Sequence, residues 1–163
     1  MILWLALACA HRPDVTVQPV TDVMHHFSVT GHGHTMAGQS VLSLSEAQMD
    51  LKTLTPFGTL LFSVRVDGDH TDIRAANPRM EQRLKGLPFF RDMALIYAWN
   101  CPGGHCATPR GRVCETSEDD TLLRQYRGQF GAAKVRITEG RAEIVDARNQ
   151  YTVTVIGEDI HVK

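Results

Sequence analysis

The strongest constraint on the fold of this chain is a series of short segments that resemble β-strands. Over residues 59–66 apolar and polar residues largely alternate, and Asp67-Gly68 follows as a strong hairpin signal before another short run over 71–75. A period of two places the apolar side chains on one face of a strand. Further strand-like segments span 23–29, 39–44, 48–54, 133–138, 141–147 and 151–156. Many short strands joined by tight turns predict a mainly antiparallel β architecture.

A segment with a different sequence pattern separates the predicted strands in the middle of the chain. Asn77-Pro78 opens a segment with apolar residues at helical spacing. The densest apolar stretch follows over 89–99, broken only by Arg91-Asp92, and its periodicity fits a buried helix or a buried strand. A sheet with one apolar face either closes into a barrel or stays open under a helical cover. The open form leaves a cavity that suits apolar ligands.

Composition narrows the class of protein. The 163 residues include 17 basic and 18 acidic side chains, and a formal net charge of −1 excludes a strongly basic protein that coats nucleic acid. No apolar run approaches the roughly 18 residues of a transmembrane helix. A chain of this length is expected to form one domain with its own core, and nucleic acid is not an expected partner.

The first ten residues, MILWLALACA, are apolar up to Cys9. They resemble the end of a bacterial lipoprotein signal peptide, in which small or apolar residues precede a cysteine that is acylated. We therefore predict a truncated signal peptide over 1–8, lipidation at Cys9, a lipid-anchored tether over 9–21 and a single domain over 22–163. The alternative is a buried N-terminal strand.

The remaining cysteines surround a Pro-Gly-Gly turn, with Cys101 and Cys106 at a spacing of C-x4-C and Cys114 further on. In an oxidising compartment Cys101 can form a disulfide with Cys106 or with Cys114, leaving one thiol over. Free thiols are a second alternative. A zinc site of these cysteines with His105 is the third, because thiolates and imidazole are the usual structural zinc ligands.

Four of the eight histidines fall within ten residues: His25, His26, His32 and His34. Imidazoles at this spacing can chelate zinc or copper, whereas the alternative is a polar strand end at the barrel rim. No nucleophile elbow and no phosphate-binding glycine loop is present in the sequence. We expect the protein not to be an enzyme, and we assign no catalytic residue, resident metal or cofactor.

Three stretches are similar to a known family. The run LTPFGTLLF over 54–62 resembles the Pro-Leu-Gly loop and following strand of LolB, the outer-membrane lipoprotein receptor. It resembles more closely a related, uncharacterised lipoprotein family with a LolA/LolB-type fold. The block over 76–88 is similar to the first helix and the entry to the second lid helix of that family, and 149–155 is similar to its last barrel strands.

The resemblance implies a mainly β (α+β) fold, an unclosed antiparallel β-barrel with a short α-helical lid around a hydrophobic cavity. In that family the cavity accepts lipoprotein acyl chains delivered by the periplasmic carrier LolA, and an apolar residue at the loop tip helps to insert cargo into the membrane. Phe57 holds the matching position and is the candidate membrane-insertion residue. Alternatively, its ring folds back onto the core.

The candidate cavity lining consists of apolar residues of the strands and lid, which would serve equally well in a closed core: Met49, Leu51, Leu60, Phe62, Val64, Met93, Leu95 and Ile96. We expect a monomeric lipoprotein, anchored to the inner leaflet of the outer membrane at its periplasmic face. It would bind acyl chains of lipoproteins or other lipids, with a LolA-like carrier as partner. The alternatives are a periplasmic metal-binding protein that uses the histidine cluster or the Cys101–Cys114 loop, and a structural lipoprotein with a vestigial cavity.

Overall fold

Residues 13–102 and 104–162 are described in a computed structural model, in which 60% of residues lie in strands and 11% in helices. The strands are β1 (Thr16–Val17), β2 (Val20–Gly31), β3 (His34–Leu44), β4 (Gln48–Leu54), β5 (Leu60–Asp67), β6 (His70–Ala75), β7 (Trp99–Asn100), β8 (His105–Thr108), β9 (Gly111–Glu118), β10 (Thr121–Gly128), β11 (Gly131–Thr138), β12 (Arg141–Asp146) and β13 (Tyr151–Ile156). The helices are α1 (Pro78–Leu84) and α2 (Phe89–Met93), and α2 continues as a π-helical turn over Ala94–Ala98.

Eleven strands form one antiparallel sheet in the order β6-β5-β4-β3-β2-β13-β12-β11-β10-β9-β8. Strands β2 to β6 form one meander of hairpins and β8 to β13 form a second, and the pairing of β2 with β13 joins them. The edges β6 and β8 are not paired with each other, although an ion pair between Asp69 and Arg110 connects their hairpins. Strands β1 and β7 form a separate two-stranded sheet. The predicted unclosed antiparallel barrel with a short helical part is confirmed.

The apolar residues that alternate with polar ones in the sequence lie on the inner face of the sheet, and the polar ones lie on its outer face. In β5 the side chains of Phe62 and Val64 are buried, whereas Arg65 between Val64 and Val66 is exposed. The predicted hairpin turn between β5 and β6 is present, with Gly68 at a φ of 58°, where a residue without Cβ meets no steric penalty. The sheet therefore offers one continuous apolar face that needs a cover.

The middle of the chain supplies that cover. Asn77 caps α1, because its side-chain oxygen accepts a hydrogen bond from the Met80 amide at 2.9 Å, and Pro78 occupies the first helical position. The apolar run over 89–99, which periodicity left open, is helical as far as Ala98 and then enters β7. We refer to α2 and its π-helical turn as the lid.

The lid is part of the hydrophobic core. The ring of Phe89 lies between those of Phe27 and Phe62, with ring centroids 6.3 and 5.9 Å away, and Met93 and Leu95 are completely buried. Each such side chain contributes about 1.5–3 kcal/mol by burial. The lid thus rests on the inner face of the sheet without an intervening solvent layer.

Candidate functional site

The turn between β4 and β5 presents a large aromatic side chain to solvent. Phe57 is 94% exposed, and Leu60 beside it is 42% exposed. The Gly58 amide donates to the Thr55 carbonyl at 2.9 Å, and the Thr55 amide donates to the Thr59 carbonyl at 2.8 Å. These bonds close the turn beneath the ring, which points away from the core rather than packing onto it.

The candidate cavity residues fall into two groups. Seven are buried in one hydrophobic cluster, to which the sheet contributes the first four and the lid the last three: Met49, Leu51, Phe62, Val64, Met93, Leu95 and Ile96. Leu60 is not joined to them and lies instead beside Phe57. Because all seven side chains are buried in the core, an acyl chain can reach them only if the side chains that cover them move.

A buried polar network attaches the lid to the second meander. Arg91 is fully buried in α2, and its guanidinium donates to Asp92 at 2.6 and 2.8 Å, to Asp146 of β12 at 2.8 Å, and to the hydroxyl of Tyr151 at 2.9 Å. A further bond reaches the Phe130 carbonyl at 2.7 Å. Tyr151 in turn donates to Asp92 at 2.6 Å. A buried charge is tolerated only when paired in this way, so the network fixes the position of the lid.

The carboxylates of the network titrate differently because their surroundings differ. Burial raises the pKa of Asp92 from 3.8 to about 6, against the opposing influence of Arg91 and the hydroxyl of Tyr151. Burial acts in the same direction on Asp146, but hydrogen bonds from Asn149 and Arg91 outweigh it and hold the pKa of Asp146 below its ordinary value. The network therefore holds one carboxylate that gains a proton readily and one that does not.

A second buried arginine holds the far end of the lid. Arg124 of β10 donates to the backbone carbonyl of Leu95, to the Asn100 side chain at 2.9 Å and to Glu115 at 2.7 Å. The carbonyls at the end of a helix lack intrahelical partners, and this guanidinium satisfies one of them. Arg91, near the start of the lid, and Arg124 of the sheet, which contacts its far end, thus hold the lid on the sheet.

The sequence predictions missed both arginine contacts, although the sequence contains a signal for them. Arg124 lies in phase with the buried Leu122 and Tyr126, and Asp146 lies in phase with the buried Ile144. A charged residue at an inward position of a strand predicts a buried partner. The period of two that located the strand over 141–147 would also have marked Asp146 as inward-facing, whereas the strand that carries Arg124 was not predicted.

The histidine cluster is divided between the two faces of the sheet. His25 is 3% exposed and shares a hydrogen bond of 3.1 Å between its Nδ1 and the Tyr97 hydroxyl of the lid, while its buried Nε2 has no partner among the described residues. Burial lowers the pKa of His25 from 6.5 to about 4. His26 points to the outer face, and His32 and His34 flank the tip of the β2–β3 hairpin. Across residues 13–102 and 104–162, no group of three or more His, Cys, Asp or Glu residues is arranged to hold a metal ion.

The cysteine loop is closed by a disulfide between Cys101 and Cys106, which leaves Cys114 as a free thiol. Cys114 pairs across the β8–β9 hairpin with His105, and its sulfur lies 3.9 Å from Nε2 of that imidazole. Cys106 faces the core and Cys114 faces outward, so the disulfide and the thiol lie on opposite sides of the sheet.

Two depressions mark the surface of the described part of the chain. One, of about 470 Å³, lies between Pro19–Thr21 and strands β3 to β5, and its lining includes Met49 and Val66 of the core beside the polar Gln48 and Arg65. The other, of about 370 Å³, lies at the ends of β2 and β13 and is lined in part by Met24, Ile156 and Glu158. The first reaches a candidate cavity residue and is the candidate entrance.

Residues 22–156 match the model of a family described as a protein of unknown function, DUF3261. The chain belongs to this family. The match covers the whole eleven-stranded sheet apart from the first two residues of β2, and it covers the lid between its two meanders. The DUF3261 match also includes Phe57, Arg91 and Arg124. No curated protein matches the chain.

The predicted anchor lies outside the described residues, since Cys9 precedes Pro13. The described segment that follows is held in place: the Ala107 amide donates to the Pro13 carbonyl, and the Val15 amide donates to the Ala107 carbonyl, both at 2.9 Å. In the part of the chain with described structure, no helix combines the length and apolar character needed to cross a membrane. Residues 13–15 of this DUF3261 domain therefore lie along the edge strand β8.

Proposed function

We propose that this protein is a LolB-like, lipid-anchored half-barrel that binds acyl chains and acts in lipoprotein or lipid localisation at the periplasmic face of the outer membrane. The observation that carries the proposal is the exposure of Phe57 on a hydrogen-bonded turn. A ring held out in water gains about 1.5–3 kcal/mol on entering an apolar phase. Because the turn is already ordered, little conformational entropy opposes that step.

The acyl-binding site is the core beneath the lid. An acyl chain enters beside Met49 and displaces lid side chains such as Met93 and Leu95 from the inner face of the sheet. Each buried methylene contributes roughly 0.8 kcal/mol, which offsets the apolar contacts that the lid gives up. Methionine suits such a site because its flexible thioether adapts to chains of different shape.

The anchor in this proposal is an acylated Cys9. Three residues separate it from Pro13, so the Cα atoms of Cys9 and Pro13 lie at most about 14 Å apart. The domain is thereby kept against the inner leaflet, where Phe57 meets the bilayer and a LolA-like carrier delivers cargo. Mass spectrometry of the natively expressed protein tests this step: an unmodified Cys9, or a mature chain that lacks it, removes the anchor from the proposal.

The insertion step is tested with Phe57→Ser on phospholipid vesicles. Met24→Ser is the matched control, because Met24 is an apolar side chain that is 54% exposed on the outer face of β2, outside the loop. We expect vesicle binding to fall several-fold for Phe57→Ser and to stay unchanged for the control. Equal binding of both variants and the wild type would refute an insertion role for the loop.

The acyl site is tested by NMR with methyl-labelled methionines and a medium-chain fatty acid as the probe. We expect the methyl signals of Met49 and Met93 to shift and that of Met24 to remain in place. Shifts confined to Met24, or none at a saturating probe concentration, would rule out the core beneath the lid as the binding site.

A further inference from the structure

The outer face of strands β9 to β11 carries a set of exposed cations, which we call the basic face: Arg112, Arg127, Lys134 and Arg136. None of the four makes an ion pair with a described residue. Their partners across the strands are not carboxylates, with one exception: Arg136 lies opposite Glu143. That carboxylate is already ion-paired with Arg141 at 3.3 Å.

The arrangement opposes the stability of the sheet. Arg112 and Arg127 are directly opposite each other in the β9–β10 register. Like charges at such positions are destabilising, and the cost is similar in size to what an opposite-charge pair contributes. Nothing in the packing of the domain requires arginine at either position, because both side chains are exposed. A partner of negative charge accounts for them.

The charges of the chain are also separated along these strands. Glu118, Asp119 and Asp120 lie at or beside the β9–β10 turn, and Glu139 lies at the β11–β12 turn, all at the opposite end of the strands from Arg112 and Arg127. Although the formal net charge of the chain is only −1, its charges are therefore divided between a cationic face and an acidic end of these strands. Such a field orients the domain in front of a charged surface.

We propose that the basic face docks on an anionic membrane surface through the phosphate groups of its lipids. The four cations are spread over three neighbouring strands, which suits an extended surface of phosphates better than a single small anion. The tether points to the same partner: the hydrogen bonds of Ala107 with Pro13 and Val15 hold it along β8, the strand next to β9. This step rests on the proposed anchor at Cys9, since a chain leaving beside the basic face brings that face to the bilayer. One lipid chain together with a basic patch gives stable binding where either alone is marginal.

The experiment uses the full chain with Cys9→Ser, so that lipidation does not contribute. Binding to vesicles of phosphatidylcholine, with and without phosphatidylglycerol, is measured by sedimentation at low and high salt. The test variant changes all four residues of the basic face to Gln. The matched control removes the same charge from exposed positions on the other meander and α1: Lys52→Gln, Arg74→Gln, Arg79→Gln and Arg83→Gln.

We expect binding only to the phosphatidylglycerol vesicles, weakened by salt. The test variant is expected to bind about 100-fold more weakly, since each cation near an anionic surface contributes a factor of about five and the factors do not combine fully. The control should bind nearly as the wild type does. Equal losses in both variants, or no binding to anionic vesicles, would overturn the proposal, and the latter would favour an acidic protein as the partner.

Phe57→Ser in the same assay separates this inference from the proposed function. If the basic-face variant loses binding and Phe57→Ser does not, the basic face docks while the insertion loop fails. The opposite result removes the basic face and leaves the loop. Circular dichroism and thermal unfolding verify that each variant is folded, as expected for changes at exposed side chains.

Discussion

Burial of His25 makes the stability of the domain depend on pH in a defined range. The imidazole is 3% exposed, and it bonds the Tyr97 hydroxyl through Nδ1 while Nε2 lacks a partner in the described structure. Desolvation, with a smaller effect of the neighbouring His26, lowers the pKa of His25 from 6.5 to about 4. The folded state therefore resists a proton that the unfolded state accepts.

The sign and size of the effect follow from this shift. A group whose pKa is lowered on folding stabilises the protein fully above its unfolded value, and that stability is lost as the pH falls from 6.5 towards about 4. The whole shift corresponds to about 3 kcal/mol, of which about 2 kcal/mol is lost between about pH 7 and about pH 5.

The assay is urea unfolding at these two pH values for the wild type and for His25→Phe, with the exposed His70→Gln as the control. Removing the imidazole leaves the Tyr97 hydroxyl without its partner, a cost that is the same at both pH values. Asp92, whose pKa is raised to about 6, makes the folded state more stable as the pH falls and partly masks the effect in the wild type. The difference between the two proteins cancels that contribution.

We expect the wild type to lose about 2 kcal/mol more than His25→Phe on acidification, and His70→Gln to behave as the wild type. If both proteins show the same pH dependence, or if NMR titration of the folded protein gives His25 a pKa near 6.5, the reasoning is wrong.

Three further changes have definite expected outcomes. Arg91→Met leaves buried carboxylates unpaired and should lower the free energy of unfolding in urea by about 3–5 kcal/mol. The control Arg83→Met, at an exposed position, should change it by less than about 0.5 kcal/mol. Equal losses in the two variants would contradict a role for the network. The double change Cys101→Ala and Cys106→Ala should lower the free energy of unfolding by about 2 kcal/mol, the value expected for so short a loop. Reduction of the wild type should give the same loss. An unchanged denaturation midpoint would argue against the disulfide. Gly38→Ala should cost about 1–3 kcal/mol, because its Cβ would lie 2.5 Å from a backbone oxygen, and a calorimetric melting temperature equal to that of the wild type would show that the strands yield without cost.

Much of the sheet could be predicted because its physical basis is local. Each strand of the first meander shows its own alternation, and turn residues such as Asp67-Gly68 mark its ends. Strands β8 to β10 were not predicted, since the cysteine loop and the acidic residues before Thr121 interrupt the pattern. The pairing of β2 with β13 joins residues far apart in sequence, and no local pattern encodes it.

The sequence pointed to the apolar residues of the candidate site but not to its buried polar network. Phe57 lies at a turn whose Pro-x-Gly pattern is visible in the sequence, and its exposure follows from the turn. The contact between Arg91 and Asp146 joins residues 55 positions apart, so only the fold brings them together. The same holds for the bond of His25 to Tyr97, which places one member of the histidine cluster beneath the lid.

The two open edges of the sheet have a mechanical consequence. Followed from β8 to β13 and then from β2 to β6, neighbouring strands of the sheet are also consecutive. The sheet is therefore one ribbon with β6 and β8 as its borders. The chain crosses between those borders once, through the segment 76–104 that contains the lid. The lid thus covers the core and is also part of the connection between the two borders. Because this connection has a fixed number of residues, the distance between the borders and the position of the lid are coupled.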